Sequence, residues 1–151
     1  MSQEDKQLLF KDLSARLPYR VKCTTKSMWN GVYTIVSYKD NRFFLDCPIY
    51  NEGDDEWMIE SIVPYLRPIS SMTEEEFVYF MGLRGRNFSH HDICQMMKET
   101  FNNPNYMTIV TQLYCYLHKM DWLFSKHFDV RGLIERSLAI AVTEENNPYK
   151  E

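Results

Sequence analysis

The stretch "VYTIVSYKDNRFFLDC", Val32 to Cys47, decides the fold class. β-Branched and aromatic residues run on both sides of Asp40-Asn41, a pair that tolerates the positive φ of a tight hairpin. Two strands joined by a short turn follow from that arrangement. The first is apolar on both faces, with Val32, Ile35 and Val36 interleaved with Tyr33 and Tyr38, so helices are expected to cover one side while the strand curls against the other.

Toward the amino terminus, "YRVKCT" (Tyr19 to Thr24) and Asn30-Gly31 add another strand and turn; toward the carboxyl end, "NEGDD" (Asn51 to Asp55) and "EWMIESIV" (Glu56 to Val63) add a turn and a fourth strand. Three turns between four such runs predict an antiparallel meander, closed as a small SH3-like barrel or left as a curled sheet. In front of it, Ser2 with Asp5 resembles a capping box, and Leu9, Leu13 and Leu17 recur every four residues. The pattern predicts a helix over Ser2–Arg16, stopped by Pro18, which lacks an amide hydrogen.

Behind the sheet, "PYLRPISSM" carries prolines at 64 and 68 and reads as a rigid connector. Thr73 with Glu76 and Ser89 with Asp92 start helices reaching to about Leu83 and Phe101. "NNPN" breaks the chain before a helix from about Tyr106 to Ser125. His127-Phe128 then make a turn, and Asp129 is placed to cap a final helix to about Val142, with Val130, Leu133, Ile134, Leu138 and Ala141 facing inward. The expected architecture is α+β: an N-terminal helix, the four-stranded meander, then about four helices. It forms a single domain over residues 1–142, with helix and sheet in 1–66 and helices in 73–142, and residues 143–151 form a flexible tail.

The chain of 151 residues is 44% hydrophobic, 15% aromatic and 25% charged, a composition that folds rather than remaining disordered. Its net charge of −4 is spread evenly: three basic and three acidic residues in 1–16, six and seven in 17–72, seven and eight in 73–142, one and three in 143–151. Binding to a nucleic-acid backbone requires a clustered positive field, so general nucleic-acid binding is not expected. The longest aliphatic run, Leu138 to Val142, falls far short of the roughly twenty residues of a membrane span, and the acids in "MSQEDKQLLF" do not suit a secretory leader. A cytoplasmic location is expected, with Cys23, Cys47, Cys94 and Cys115 as reduced thiols because no C-x-x-C pair occurs.

Phosphate-loop, dinucleotide, nucleophile-elbow and H-E-x-x-H motifs are all absent, so no catalytic residue and no cofactor is nominated. One metal arrangement comes into view: His91 with Cys94 and Cys115 with His118, each pair one helical turn apart, could close a Cys2His2 tetrahedron. Cys94 lies among Ile93, Met96 and Met97, and Cys115 between tyrosines, so buried thiols are the better reading and no metal is expected. Arg84, Arg86, His90 and His91 precede and enter a helix start, where free amides attract anions; a solvated linker is the blander alternative. The acids of Glu52–Glu56 and of "TEEE" read as a hairpin tip and a dipole-complemented helix start. The densest candidate is the corner His127, Asp129, Arg131 and Gly132. A glycine inside a helix costs about 1 kcal/mol, and here it suggests close approach by another backbone or by a ligand; a tight helix-helix corner is the better reading and a binding site the alternative.

The motifs Asp121-Trp122-Leu123, His127-Phe128-Asp129 and Arg131-Gly132-Leu133-Ile134-Glu135, together with Pro64 to Glu76 and Glu4 to Lys22, resemble a family of small uncharacterised proteins from gut anaerobic bacteria (Bacteroides-like) and their phages. The resemblance covers about a third of the chain. It implies a bacterial or phage-borne accessory protein and transfers no activity.

The expected function is therefore a non-enzymatic protein-interaction module whose partner is a protein. The alternative is a small nucleic-acid-binding or regulatory protein using Trp29, Tyr33, Tyr38, Phe43 and Phe44 with Arg20, Lys22, Lys26, Lys39 and Arg42. Outward stacking of those aromatics beside the bases would favour it. An enzyme of unassigned class is the third reading and requires a deep pocket of perturbed titratable groups.

Overall fold

The computed structural model describes residues 1–26, 31–40, 42–46, 55–103 and 118–150. Their class is α+β, as the sequence predicts, and they fall into two compact units: residues 1–67 with 124–151, and residues 68–123.

The first unit opens with helix α1 (Gln3–Arg16). Ser2 accepts from the Asp5 amide at 3.0 Å while the Asp5 carboxylate accepts from the Ser2 amide, so the expected capping box is formed. Pro18 falls in a 3-10 turn, Leu17–Tyr19, and Arg20 takes a positive φ of 52° before the sheet begins. Strands β1 (Lys22–Thr25), β2 (Tyr33–Lys39) and β3 (Arg42–Asp46) pair antiparallel in succession. Lys39 lies opposite Arg42, and Asp40, directly after β2, adopts φ 50°; Asn41 of the expected turn lies outside the described residues. A register shift between Ile35 and Ser37 bends β2, the curling its two-faced apolar character predicts.

The expected fourth strand is two strands. β4 (Asp55–Trp57) pairs with β3, a 3-10 turn spans Ile59–Ser61, and β5 (Ile62–Leu66) crosses to the opposite side to pair with β1. Pro64, expected to begin a connector, instead lies within β5 opposite Cys23. Among the described residues the sheet runs β4-β3-β2-β1-β5-β6, where β6 is the two-residue strand Ile140–Ala141, parallel to β5. Of the two expected forms the curled, open sheet is the one adopted: β4 and β6 stand at its opposite ends.

Burial follows the pleat. β3 and β5 alternate, sinking Phe43 and Leu45, and Ile62 and Leu66, to complete burial, and these cluster with Leu9 and Leu13 of α1. Each such side chain contributes roughly 1.5–3 kcal/mol, which outweighs any local propensity.

The closing helix expected over Asp129–Val142 does not form. The segment is a series of turns leading into β6, and His127, Gly132 and Ser137 adopt φ of 60°, 69° and 56°. A right-handed helix cannot pass through such residues. Leu133, Leu138 and Ala139 still reach the core. Residues 143–150, expected as a flexible tail, carry an anchor: the Tyr149 hydroxyl donates to the Tyr65 carbonyl at 2.8 Å and accepts from the Lys22 amide at 3.1 Å.

The second unit contains α2 (Glu74–Met81) and α3 (His90–Asn102), started by the two predicted capping boxes, Thr73 with Glu76 and Ser89 with Asp92. Gly82 ends α2 at φ 69°. Phe77 meets Phe101 edge to face at 5.8 Å, joining the helices. Of the helix expected over 106–125, the described part is α4 (His118–Ser125); Trp122 packs on Tyr79 and Phe80. No helix among the described residues is long and apolar enough to cross a membrane.

Candidate functional site

The corner nominated by the sequence is built around two residues that sequence reasoning passed over, Asp12 and Arg16. They stand one turn apart on the face of α1 that carries Leu9 and Leu13, and both are completely buried. Arg16 grips Asp12 through Nε to Oδ2 at 2.5 Å and Nη2 to Oδ1 at 3.2 Å, and donates to the Phe128 carbonyl at 2.7 Å. The Arg131 Nε reaches Asp12 Oδ1 at 3.2 Å. Both guanidinium groups face the Phe124 ring, at 4.7 and 5.7 Å. The signal was present in the sequence: a charged pair at i, i+4 flanking an apolar stripe. Burial of such a pair is tolerated only because each charge is matched and hydrogen-bonded.

Asp129 accepts from the amides of Leu133 and Ile134, each at 2.9 Å, and of Arg131 at 3.4 Å. It does what a cap does, without a helix behind it. Phe128 lies in a parallel bridge with Arg67, whose amide donates to His127 O and whose carbonyl accepts from Asp129 N. The His127 ring stacks on Tyr149 with centroids 3.9 Å apart. Burial first, then the positive charges of Arg16, Arg67, Lys126 and Lys22, push its pKa down to about 4, so the ring is neutral at physiological pH. Gly132 is not closely approached: an added Cβ would meet only Glu135 Oε2, at 4.0 Å. The close-packing explanation of this glycine is replaced by its φ of 69°. The corner is thus a set of mutually neutralising groups that ties α1, β5 and the closing segment together.

The remaining candidates separate. Arg84 lies over the Tyr79 ring at 5.2 Å, and His90 Nδ1 sits 2.5 Å from Glu74 Oε2. Arg86 and His91 are exposed, as a solvated linker requires, and the Asp92 carboxylate occupies the start of α3 that the candidate anion site would use. Cys94 faces His90, with Sγ to Nε2 at 3.6 Å, rather than His91. Cys115 lies outside the described residues, as does the side chain of His118, so the proposed tetrahedron of His91, Cys94, Cys115 and His118 does too. Trp29 also lies outside them. Tyr33 and Phe43 are buried, and Lys22 Nζ donates to Thr34 Oγ1 at 2.8 Å.

A site that the sequence did not single out opens between α1 and the sheet. It is a groove of about 440 Å³ floored by Phe10, Tyr38, Phe43, Met58 and Ile59 and rimmed by Gln3, Lys6, Gln7 and Glu60. Its three rings pack together, Phe10 to Tyr38 at 4.9 Å and Tyr38 to Phe43 at 4.8 Å. Phe10 and Met58 remain 38% and 51% exposed, a large apolar area left in water. Lys6 and Glu60 pair across the rim, and hydrogen bonding from the ammonium holds the Glu60 carboxyl below its ordinary value. No clear periodicity announces the site, because Phe10 lies off the Leu9/Leu13 stripe and Met58 in a turn.

Comparison with family models, with curated proteins and with solved structures finds no match to this chain.

Proposed function

We propose that the chain is a non-enzymatic protein-interaction module that holds a short apolar segment of a partner protein in the groove between α1 and β2–β3. The observation that carries the reading is a groove floor in which Phe10 and Met58 stay half-exposed beside packed aromatic rings, inside a polar rim. Its volume suits a few side chains rather than a whole domain. Apolar anchors surrounded by polar groups are the anatomy of a binding hot spot. The rim charges Lys6 and Glu60 neutralise each other, which disfavours a phosphate backbone. Burial of Tyr33 and Phe43 supports the protein reading over the nucleic-acid one. A cytoplasmic setting, in a gut anaerobic bacterium or its phage, accompanies this proposal through the resemblance of the sequence motifs.

The test is to pan a random-peptide phage library on the full chain. Enriched peptides are expected to share an apolar anchor and to lose about tenfold or more in affinity against Phe10→Asp and Met58→Asp, but not against Phe88→Asp, a comparably exposed residue of the other unit. Binders indifferent to the two groove variants, failure to enrich any peptide, or tighter retention of single-stranded oligonucleotides at physiological salt would each overturn it.

A further inference from the structure

The first two turns of α3 and the first turn of α2 bring three different donor types together. Glu74, His90 and Cys94 each offer one ligand atom, and these atoms lie within 4.8 Å of one another. The closest pair is His90 Nδ1 and Glu74 Oε2 at 2.5 Å, and Cys94 Sγ lies 4.0 Å from the same nitrogen and 3.6 Å from Nε2. Zinc bonds of about 2.0–2.3 Å in a tetrahedron put neighbouring ligand atoms roughly 3.3–3.7 Å apart. The three donors bracket that spacing, and an exposed histidine reaches it by a small rotation.

We propose that Glu74, His90 and Cys94 bind a divalent transition-metal ion of the zinc type, with water completing the coordination. The donor set selects the ion: one thiolate, one imidazole and one carboxylate suit zinc or cobalt and are poor for calcium or magnesium, which require oxygen ligands. Binding releases the proton of the Cys94 thiol to solvent, while His90 ligates as the neutral imidazole through Nδ1 and keeps its proton on Nε2. The framework is already rigid. Capping boxes fix the start of each helix, and Phe77 against Phe101 fixes one helix on the other. Cys94 and His90 stand one turn apart on α3, so a single helical face supplies two ligands and α2 the third. A metal there cross-links the two helices.

The full chain is titrated with Co2+ and followed by visible absorption, then with Zn2+ in competition. We expect saturation at a single equivalent, with a thiolate-to-cobalt charge-transfer band that Zn2+ abolishes. Cys94→Ser removes the band; His90→Ala and Glu74→Gln each weaken binding by about tenfold or more; His91→Ala changes neither. Far-UV circular dichroism on every variant separates lost binding from lost folding. Absence of saturable binding, a band that survives Cys94→Ser, or equal dependence on Cys115 and His118 would overturn the assignment.

Discussion

Gly132 shows how one residue type can be required for either of two unrelated reasons. At φ 69° its backbone is in the left-handed region, while the space where a Cβ would stand is open. Conformation and not crowding holds glycine there. Gly132→Ala and Gly132→Leu are therefore expected to destabilise by the same amount, about 1–2 kcal/mol, in denaturant melts. A much larger loss for leucine would restore the crowded corner. Arg16 is the opposite case, a charge whose cost of burial is offset by Asp12, the Phe128 carbonyl and the Phe124 ring. Its Nη1 has no hydrogen-bond partner among the described residues, so the compensation is incomplete.

At the scale of elements, the closing segment from Asp129 to Val142 is held by side chain and core instead of by helical hydrogen bonds. The Asp129 carboxylate gathers the amides of Leu133 and Ile134, and Leu133 and Leu138 descend into the core. Asp129→Ala leaves those amides unpaired in a buried place and is expected to cost about 1–3 kcal/mol. Because no helix is lost, the far-UV helix signal of the folded variant should equal that of the parent; a drop in helicity would show that Asp129 caps a helix after all. The split of "EWMIESIV" into β4 and β5 belongs to the same scale. Its 3-10 turn at Ile59–Ser61 carries Ile59 and Glu60 into the groove wall.

For the molecule as a whole, the first unit is completed by chain from both ends of the sequence, and His127 lies at that closure. Its folded pKa is about 4 against an ordinary 6.5. The sign follows directly: above 6.5 the ring is neutral in folded and unfolded chains, so its full contribution is present. Between 6.5 and 4 the unfolded chain takes up a proton that the folded one refuses, and stability falls with pH by up to about 3 kcal/mol. His127→Asn preserves a side chain that tolerates positive φ and removes the titration. Denaturant midpoints measured across this window should therefore fall less steeply for the variant; equal slopes would place the acid sensitivity elsewhere.

The sequence by itself determined the local starts and stops: three capping boxes, the antiparallel pairing of Lys39 with Arg42, the strand character of β1 to β3 and the α+β class. These depend on hydrogen bonds and backbone preferences within a few residues, so short windows contain the needed information. Only the tertiary structure decided that Leu133, Leu138 and Ala141 at helical spacing belong to turns and a parallel strand, since apolar spacing records burial and not the path between buried points. It also decided that Asp12 and Arg16 meet Arg131, that His90 and not His91 faces Cys94, and that Phe10, Tyr38 and Met58 share a groove. Contacts between residues far apart in sequence are chosen by packing of the whole core, where the free energy of burial exceeds any local preference.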